Sequence, residues 1–98
     1  MTVDTGAPVR AYLEDLRRRA ASGDDLQRLD AELLRSPDPM ARMRLMDVRR
    51  RAVETRRALE EDFVTHAATW SRAERVTRAA FLAEGVPAAL LDRAGVPD

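Results

Sequence analysis

The residues of this sequence best suited to chemistry are its arginines, which supply all 17 basic side chains. Residues 40–59 hold seven arginines against two acids, a net charge of +5, whereas residues 1–39 carry −2 and residues 60–98 carry −3. A basic segment between acidic ones can attract a polyanion such as DNA. It can equally form ion pairs with acidic segments of the same chain or of a second chain.

Eight arginines form the predicted nucleic-acid-binding set. Four belong to the C-terminal part of the chain, and four lie in the central basic segment, where helical spacing places them on neighbouring stripes of one helix. Such rows can follow phosphates with an affinity that falls as salt rises, which favours binding with low sequence specificity. The alternative is a solvated helix surface with short-range ion pairs. The set consists of Arg72, Arg75, Arg78, Arg93, Arg49, Arg50, Arg56 and Arg57.

Other reactive side chains are scarce. The chain has no cysteine, which excludes disulfides, thiolate metal ligands and a cysteine nucleophile, and His66 is its only histidine. Because the nearest partners of His66, Asp62 and Thr69, are ordinary helix-spaced neighbours, a place in a helical seam fits it better than catalysis or metal binding. The pair Asp24-Asp25 is best explained as a helix cap. We therefore expect no enzyme activity, no metal site and no cofactor.

The elements that carry these arginines are predicted to be helices throughout, since no alternating strand pattern occurs. Apolar spacings of three and four predict a first helix from about Pro8, ended by Ser22-Gly23. A second helix follows a cap at Asp24 or Asp25. The two are predicted to form a helical hairpin over residues 1–37. The apolar stripe of the second helix consists of Leu26, Leu29, Leu33 and Leu34.

The strongest break in the sequence is Ser36-Pro37-Asp38-Pro39. Pro37 disfavours helix at the residue before it, whereas Asp38 and Pro39 supply an N-cap and a first-turn proline. Neither glycine nor proline occurs between residues 40 and 72. The sequence therefore predicts one long central helix over about 39–72.

Two apolar edges run along this central helix. The first fits heptad a and d positions and continues after a four-residue slip to Phe63 and Trp70. Two edges suit a helix that contacts its own chain on one side and another chain on the other, so the segment 38–72 is predicted to form a coiled-coil homodimer. The first edge consists of Leu45, Val48, Ala52 and Leu59, and the second of Met40, Met43, Met46 and Val53.

Residues 73–98 are predicted to form a helix-turn-helix-like unit, with the chain leaving the long helix soon after Trp70. Two short helices over about 77–94 are punctuated by Gly85 and Gly95. Trp70 and Phe81 are expected to anchor this pair on the end of the long helix. A helix-turn-helix can present its second helix to DNA. A plain helical hairpin that caps the long helix has the same spacing.

The C-terminal residues also carry a family resemblance over about 34 residues. The elements that match are Phe63-Val64-x-His66-Ala67, Trp70-Ser71, Val76-Thr77, Ala80-Phe81, Gly85-Val86-Pro87-Ala88-Ala89, Leu90-Leu91 and Ala94-Gly95-Val96. They resemble the tail of small, uncharacterised actinobacterial long-helix proteins that are nucleoid-associated-like. Arg75 stands where that pattern has a glycine. The resemblance implies a helix-turn-helix-like tail and DNA binding.

These observations predict an all-α cytoplasmic protein, located in the nucleoid if it binds DNA. No apolar run approaches the ~20 residues that a membrane span needs, so no membrane partner is expected. The expected partners are DNA and a second copy of the chain. The alternative is a helical protein–protein interaction or scaffold module without nucleic-acid binding, in which the methionine edge or the tail docks a protein.

Overall fold

A computed structural model of the chain describes residues 4–98, and these residues form five helices. No strand occurs in this part of the chain, and the predicted all-α class is confirmed. The first three residues of the predicted N-terminal unit lie outside the described range. The helices are α1 (Gly6–Ser22), α2 (Asp25–Arg35), α3 (Pro39–Glu74), α4 (Arg78–Ala83) and α5 (Ala88–Ala94).

Local side-chain chemistry starts two of these helices as predicted. Asp24 accepts a hydrogen bond of 2.8 Å from the amide of Leu26 at the start of α2, which settles the choice between the two adjacent aspartates. Asp38 accepts a hydrogen bond of 3.2 Å from the amide of Met40 at the start of α3. Pro39 occupies the first turn of α3, where no backbone N–H is required.

The helices α1 and α2 lie end to end along α3, and both run antiparallel to it. Tyr12 of α1 stacks on Phe63 with ring centroids 4.7 Å apart, whereas Asp30 of α2 pairs with Arg49 much earlier in α3. The prediction that α1 and α2 pack against each other as a hairpin over residues 1–37 is therefore wrong. The two-residue link interrupts the helix without reversing the chain, so both apolar stripes stay on α3.

The long central helix is uninterrupted, as predicted. Its 36 residues span about 54 Å at 1.5 Å per residue, close to the 52 Å longest dimension of the chain. It ends at Glu74, two residues later than predicted, because Ala73 and Glu74 favour helix. Arg75 then adopts a left-handed conformation (φ 57°, ψ 39°), and its amide donates to the carbonyl of Ser71.

The molecule is an elongated rod, with a longest dimension of 52 Å. One hydrophobic core lies at the end of this rod where α1 begins and α3 ends. Phe63 sits at its centre, with Phe81 edge-on at 5.7 Å between ring centroids, and Trp70 packs edge-on against Phe81 at 5.9 Å. The expected anchoring role of Trp70 and Phe81 is thus confirmed. Since α1, α3, α4 and α5 all contribute, the three predicted segments share this core. Its buried members are Val9, Tyr12, Phe63, Ala67, Phe81, Val86, Leu90, Leu91, Ala94 and Val96.

The opposite end of the rod is only two helices thick. We call α2 together with residues 39–56 of α3 the arm, and Leu29 is its one buried hydrophobic side chain. Leu34, predicted to be buried, is 88% exposed. Leu34 lies about 140° round α2 from the buried Leu29, so it falls outside the side that faces α3. Val48 of the predicted heptad seam is also exposed.

Candidate interaction surfaces

Arg78, predicted to contact phosphates, connects α4 to the residues that follow it. Its side chain is only 15% exposed. The guanidinium donates to the carbonyls of Val96 at 3.1 Å and Ala88 at 3.3 Å, and it pairs with Asp92 at 2.8 Å. A phosphate would have to displace these partners, so the surroundings of Arg78 indicate a structural role.

The other three tail arginines differ in their partners. Arg93 of α5 pairs with Glu61 of α3 at 2.5 Å, and both side chains are about half exposed. Arg72 and Arg75 are exposed at the end of α3 and have no carboxylate within 4.0 Å among residues 4–98. Since Asp92 and Arg93 are both in ion pairs, the second helix of the predicted helix-turn-helix offers no unpaired cation in the described chain.

Two arginines of the central row hold α3 to α2. Arg56 grips both carboxylate oxygens of Asp24, at 2.8 and 3.2 Å, and Arg49 pairs with Asp30 at 2.6 Å. These contacts join residues 32 and 19 positions apart in the chain. The basic segment thus finds much of its acidic complement inside the same molecule.

The remaining two arginines of the row point away from α2. Arg50 pairs with Asp47 and Glu54 on its own helix, each at 2.9 Å. Arg57 has no carboxylate partner within residues 4–98. Five of the eight predicted arginines are therefore paired with carboxylates. The other three, Arg57, Arg72 and Arg75, lie along the last part of α3 and its C-cap, over roughly 27 Å.

The ion pair between Asp24 and Arg56 has the clearest electrostatic signature. The bidentate guanidinium lowers the pKa of Asp24 from 3.8 to about 2, with help from the amide of Leu26 and against the opposing effect of desolvation. The same hydrogen bonds raise the pKa of Arg56. The pair lies where α1 gives way to α2, and it fixes that junction on α3.

Exposed large apolar side chains are concentrated on the arm. We call four of them the apolar strip: Leu34, Met40, Met43 and Met46, which are 88%, 60%, 61% and 49% exposed. Val48 on the arm and Leu82 on α4 are the only other large hydrophobic residues exposed to a similar degree in the described chain. Four exposed apolar residues on one short arm are a candidate binding surface, because exposed apolar residues in most monomers are scattered singly.

The strip continues a stripe of α3 that is covered further along. Met43, Met46 and Val53 follow one another at spacings of three and seven residues, and Val64 and Ala68 extend the same stripe. Val64 and Ala68 are half-buried against the core, to which α5 contributes Leu90, Leu91 and Ala94. This stripe is thus partly buried near the core, whereas Met43 and Met46 on the arm are exposed.

Leu34 belongs to the same side of the arm. Leu34 lies one turn after Asp30 on α2, and the carboxylate of Asp30 pairs with Arg49 of α3. Arg49 in turn lies one turn after Met46. The two helices of the arm therefore present Leu34 and Met46 to the same side. The methionines were predicted to form a second apolar edge, whereas Leu34 was predicted to be buried.

A cavity of about 440 Å³ opens between α1 and α4. Its floor is apolar and includes Val9, Trp70 and Phe81. Two arginines and two glutamates, Arg10, Arg17, Glu14 and Glu84, lie around it. Because these charges balance, the cavity selects neither an anionic nor a cationic ligand.

Two polar side chains with potential for catalysis, His66 and Ser71, have local hydrogen-bond partners in residues 4–98. His66 shares a hydrogen bond of 2.9 Å with the carbonyl oxygen of Asp62, one turn earlier on the same helix. The hydroxyl of Ser71 donates to the carbonyl of Val76 at 2.6 Å, so it serves the end of α3. No group of three or more acidic or histidine side chains in this range could hold a metal ion.

Comparison of the chain with protein-family models, with curated proteins and with solved structures found no match. Among residues 4–98 no helix combines the length and the apolar character needed to cross a membrane.

Proposed function

We propose that this chain is a helical protein–protein interaction module that binds through the apolar strip. The observation that carries the proposal is the concentration of exposed apolar residues between positions 34 and 46, on an arm that buries one large side chain of its own. Methionine suits such a surface, since its flexible thioether side chain adapts to the shape of a partner.

Burial of the strip would stabilise a complex substantially. Fully burying a leucine or methionine is worth about 1.5–3 kcal/mol, so covering four side chains that are half to nearly fully exposed contributes roughly 4–8 kcal/mol. This gain is comparable to the whole folding free energy of a small domain, about 5–15 kcal/mol. Part of it offsets the entropy lost on association.

DNA binding is the weaker interpretation of the same molecule. Arg49, Arg50, Arg56, Arg78 and Arg93 already have carboxylate partners, and counterion release by phosphate contacts would require those pairs to open. Arg57, Arg72 and Arg75 could still meet phosphates, but they do not converge on one site.

A site-specific photo-crosslinker tests the proposal. The residue p-benzoylphenylalanine replaces Met43 in the strip, or Thr69 at an exposed position on the other half of α3 as the matched control. We expect a protein adduct in cells from position 43 and none from position 69. The purified protein is also titrated with random duplex DNA at about 0.15 M salt, where we expect no mobility shift.

Two results would overturn the proposal. One is the lack of any protein adduct at position 43. The other is a salt-sensitive mobility shift that disappears when Arg57, Arg72 and Arg75 are all changed to alanine, with position 43 still giving no adduct. The second result would favour DNA binding as the function of this chain.

A further inference from the structure

We propose that the cavity between α1 and α4 binds an uncharged aromatic small molecule. This site lies at the core end of the rod, away from the arm, and it does not depend on the protein–protein contact proposed above. Its volume of about 440 Å³ falls within the range of roughly 300–1,000 Å³ that is typical of small-molecule sites. The floor reaches the buried Val9 and Phe81, so a bound molecule touches the core itself.

Contacts on either side of the cavity hold it open. Tyr12 of α1 stacks on Phe63 of α3 with ring centroids 4.7 Å apart, and this contact fixes α1. Phe81, which is buried, and Arg78, which donates to the carbonyl of Val96 at 3.1 Å, fix α4. Since each helix is anchored away from the other, neither can close the gap without losing these contacts. Small-molecule sites are usually preformed in this way.

The walls of the cavity offer apolar surface that the core leaves incompletely covered. Leu13, Trp70 and Val76 all line it, and each is only partly buried against the core. Covering their remaining surface is favourable for any apolar molecule. An aromatic molecule gains more, because rings attract one another in edge-on and offset arrangements such as the one Trp70 already makes with Phe81.

Small residues leave room for a ring beside Trp70. Gly6 lies in the first turn of α1, and a Cβ atom at this position would be 3.1 Å from Nε1 of Trp70 and 3.4 Å from its Cδ1. A side chain at position 6 would therefore displace the indole. Ala80 lines the α4 side of the cavity and is also small.

The charges around the mouth favour an uncharged molecule. Arg10 and Arg17 are balanced by Glu14 and Glu84, and Arg17 approaches Glu84 to 4.0 Å across the gap. The floor itself is apolar, so a charged group placed on it would lose its hydration without gaining a partner. A neutral ring system has no such cost.

The fluorescence of Trp70, the only tryptophan, tests this site directly. The probe is N-phenylnaphthylamine, an uncharged aromatic molecule that absorbs where tryptophan emits. We expect it to quench the emission of Trp70 saturably by energy transfer. A probe on the apolar strip would quench little, because energy transfer falls steeply with distance and Met46 lies roughly 36 Å from Trp70 along α3.

A matched anionic probe tests the class of ligand. Anilinonaphthalenesulfonate has the same ring skeleton and adds one sulfonate. Because the apolar floor supplies no partner for that charge, we expect it to bind more weakly than N-phenylnaphthylamine by about ten-fold.

A pair of variants locates the bound probe. Ala80→Phe places a ring at the cavity wall and should weaken the binding of N-phenylnaphthylamine by about ten-fold or more. Ala79→Phe, at the exposed neighbouring position outside the lining, should bind like the wild type. Circular dichroism shows whether each variant is folded. If Ala80→Phe is not, the wild type decides: its single indole N–H signal in NMR belongs to Trp70 and should shift saturably with the probe.

Three results would overturn this inference. The first is N-phenylnaphthylamine that neither quenches Trp70 nor shifts its indole signal. The second is equal binding by folded Ala80→Phe and Ala79→Phe, which would place the probe elsewhere. The third is a sulfonate probe that binds as tightly as the neutral one, which would overturn the uncharged class. None of these results affects crosslinking from position 43, so failure of this site and failure of the proposed function are distinguishable.

Discussion

Replacing Asp24 by asparagine separates two roles that this residue combines at the start of α2. Its carboxylate caps the helix through the amide of Leu26, and it also binds the guanidinium of Arg56. Asparagine is as good an N-cap as aspartate, so Asp24→Asn keeps the cap and removes the charged partner of Arg56.

The pKa of Asp24 sets the size of the effect. A fall from 3.8 to about 2 is worth about 2.4 kcal/mol at 1.36 kcal/mol per pKa unit. Both side chains remain about a quarter exposed, and solvent screening reduces this to about 1–2 kcal/mol. Because the folded-state pKa lies below the unfolded one, this stability is present above about pH 4. It is lost as the pH falls towards 2.

Urea unfolding followed by circular dichroism measures this difference at several pH values. The protein concentration is held constant, since self-association raises the apparent stability. We expect Asp24→Asn to be about 1–2 kcal/mol less stable than wild type at pH 7, with the gap shrinking to a few tenths of a kcal/mol near pH 2. The control Asp47→Asn breaks a pair with Arg50 whose side chains are more than half exposed, and it should change stability little at either pH. A gap that is absent at pH 7, or constant down to pH 2, would refute the reasoning.

Three further changes probe the core end of the rod. Arg75→Gly should stabilise the chain by about 1 kcal/mol in urea unfolding, because Arg75 is held at φ 57° where glycine is unstrained; a loss of stability would contradict this. Phe63→Leu removes two aromatic contacts and should cost about 1–3 kcal/mol by the same assay, whereas an unchanged midpoint would show that the ring stacking contributes nothing. Arg78→Ala should lower the free energy of unfolding by about 2 kcal/mol and speed amide hydrogen exchange in α5. Unaltered exchange would refute the proposal that Arg78 holds α4 to the residues that follow it.

Local chemistry made the helix boundaries predictable from the sequence. Asp38 followed by Pro39 specifies a helix start without reference to any distant residue, and the observed cap agrees. Gly95 ends α5 in the left-handed conformation that glycine favours. The absence of helix breakers in residues 40–72 likewise sufficed to predict the uninterrupted α3.

Contacts between distant residues were not predictable in this way. The path of α2 along α3 depends on the angle between α1 and α2 at a two-residue link, which the sequence leaves open. The carboxylate partners of Arg56 and Arg78 lie 32 and at least 14 residues away, so a basic residue could be recognised but its neutralisation could not. One local signal was available for Leu34, which lies about 140° round the helix from Leu29 and so at the far edge of the predicted stripe.

The central claim, that the apolar strip binds a protein partner, is tested most directly by the solvent exposure of one methyl group. Met46 and Leu82 are 49% and 45% exposed in the single chain. In an NMR experiment with a soluble paramagnetic agent, the methyl signal of Met46 should relax much more slowly than those of Leu82 once the protein that crosslinks at position 43 is added in excess. Equal relaxation of the two residues would contradict the account.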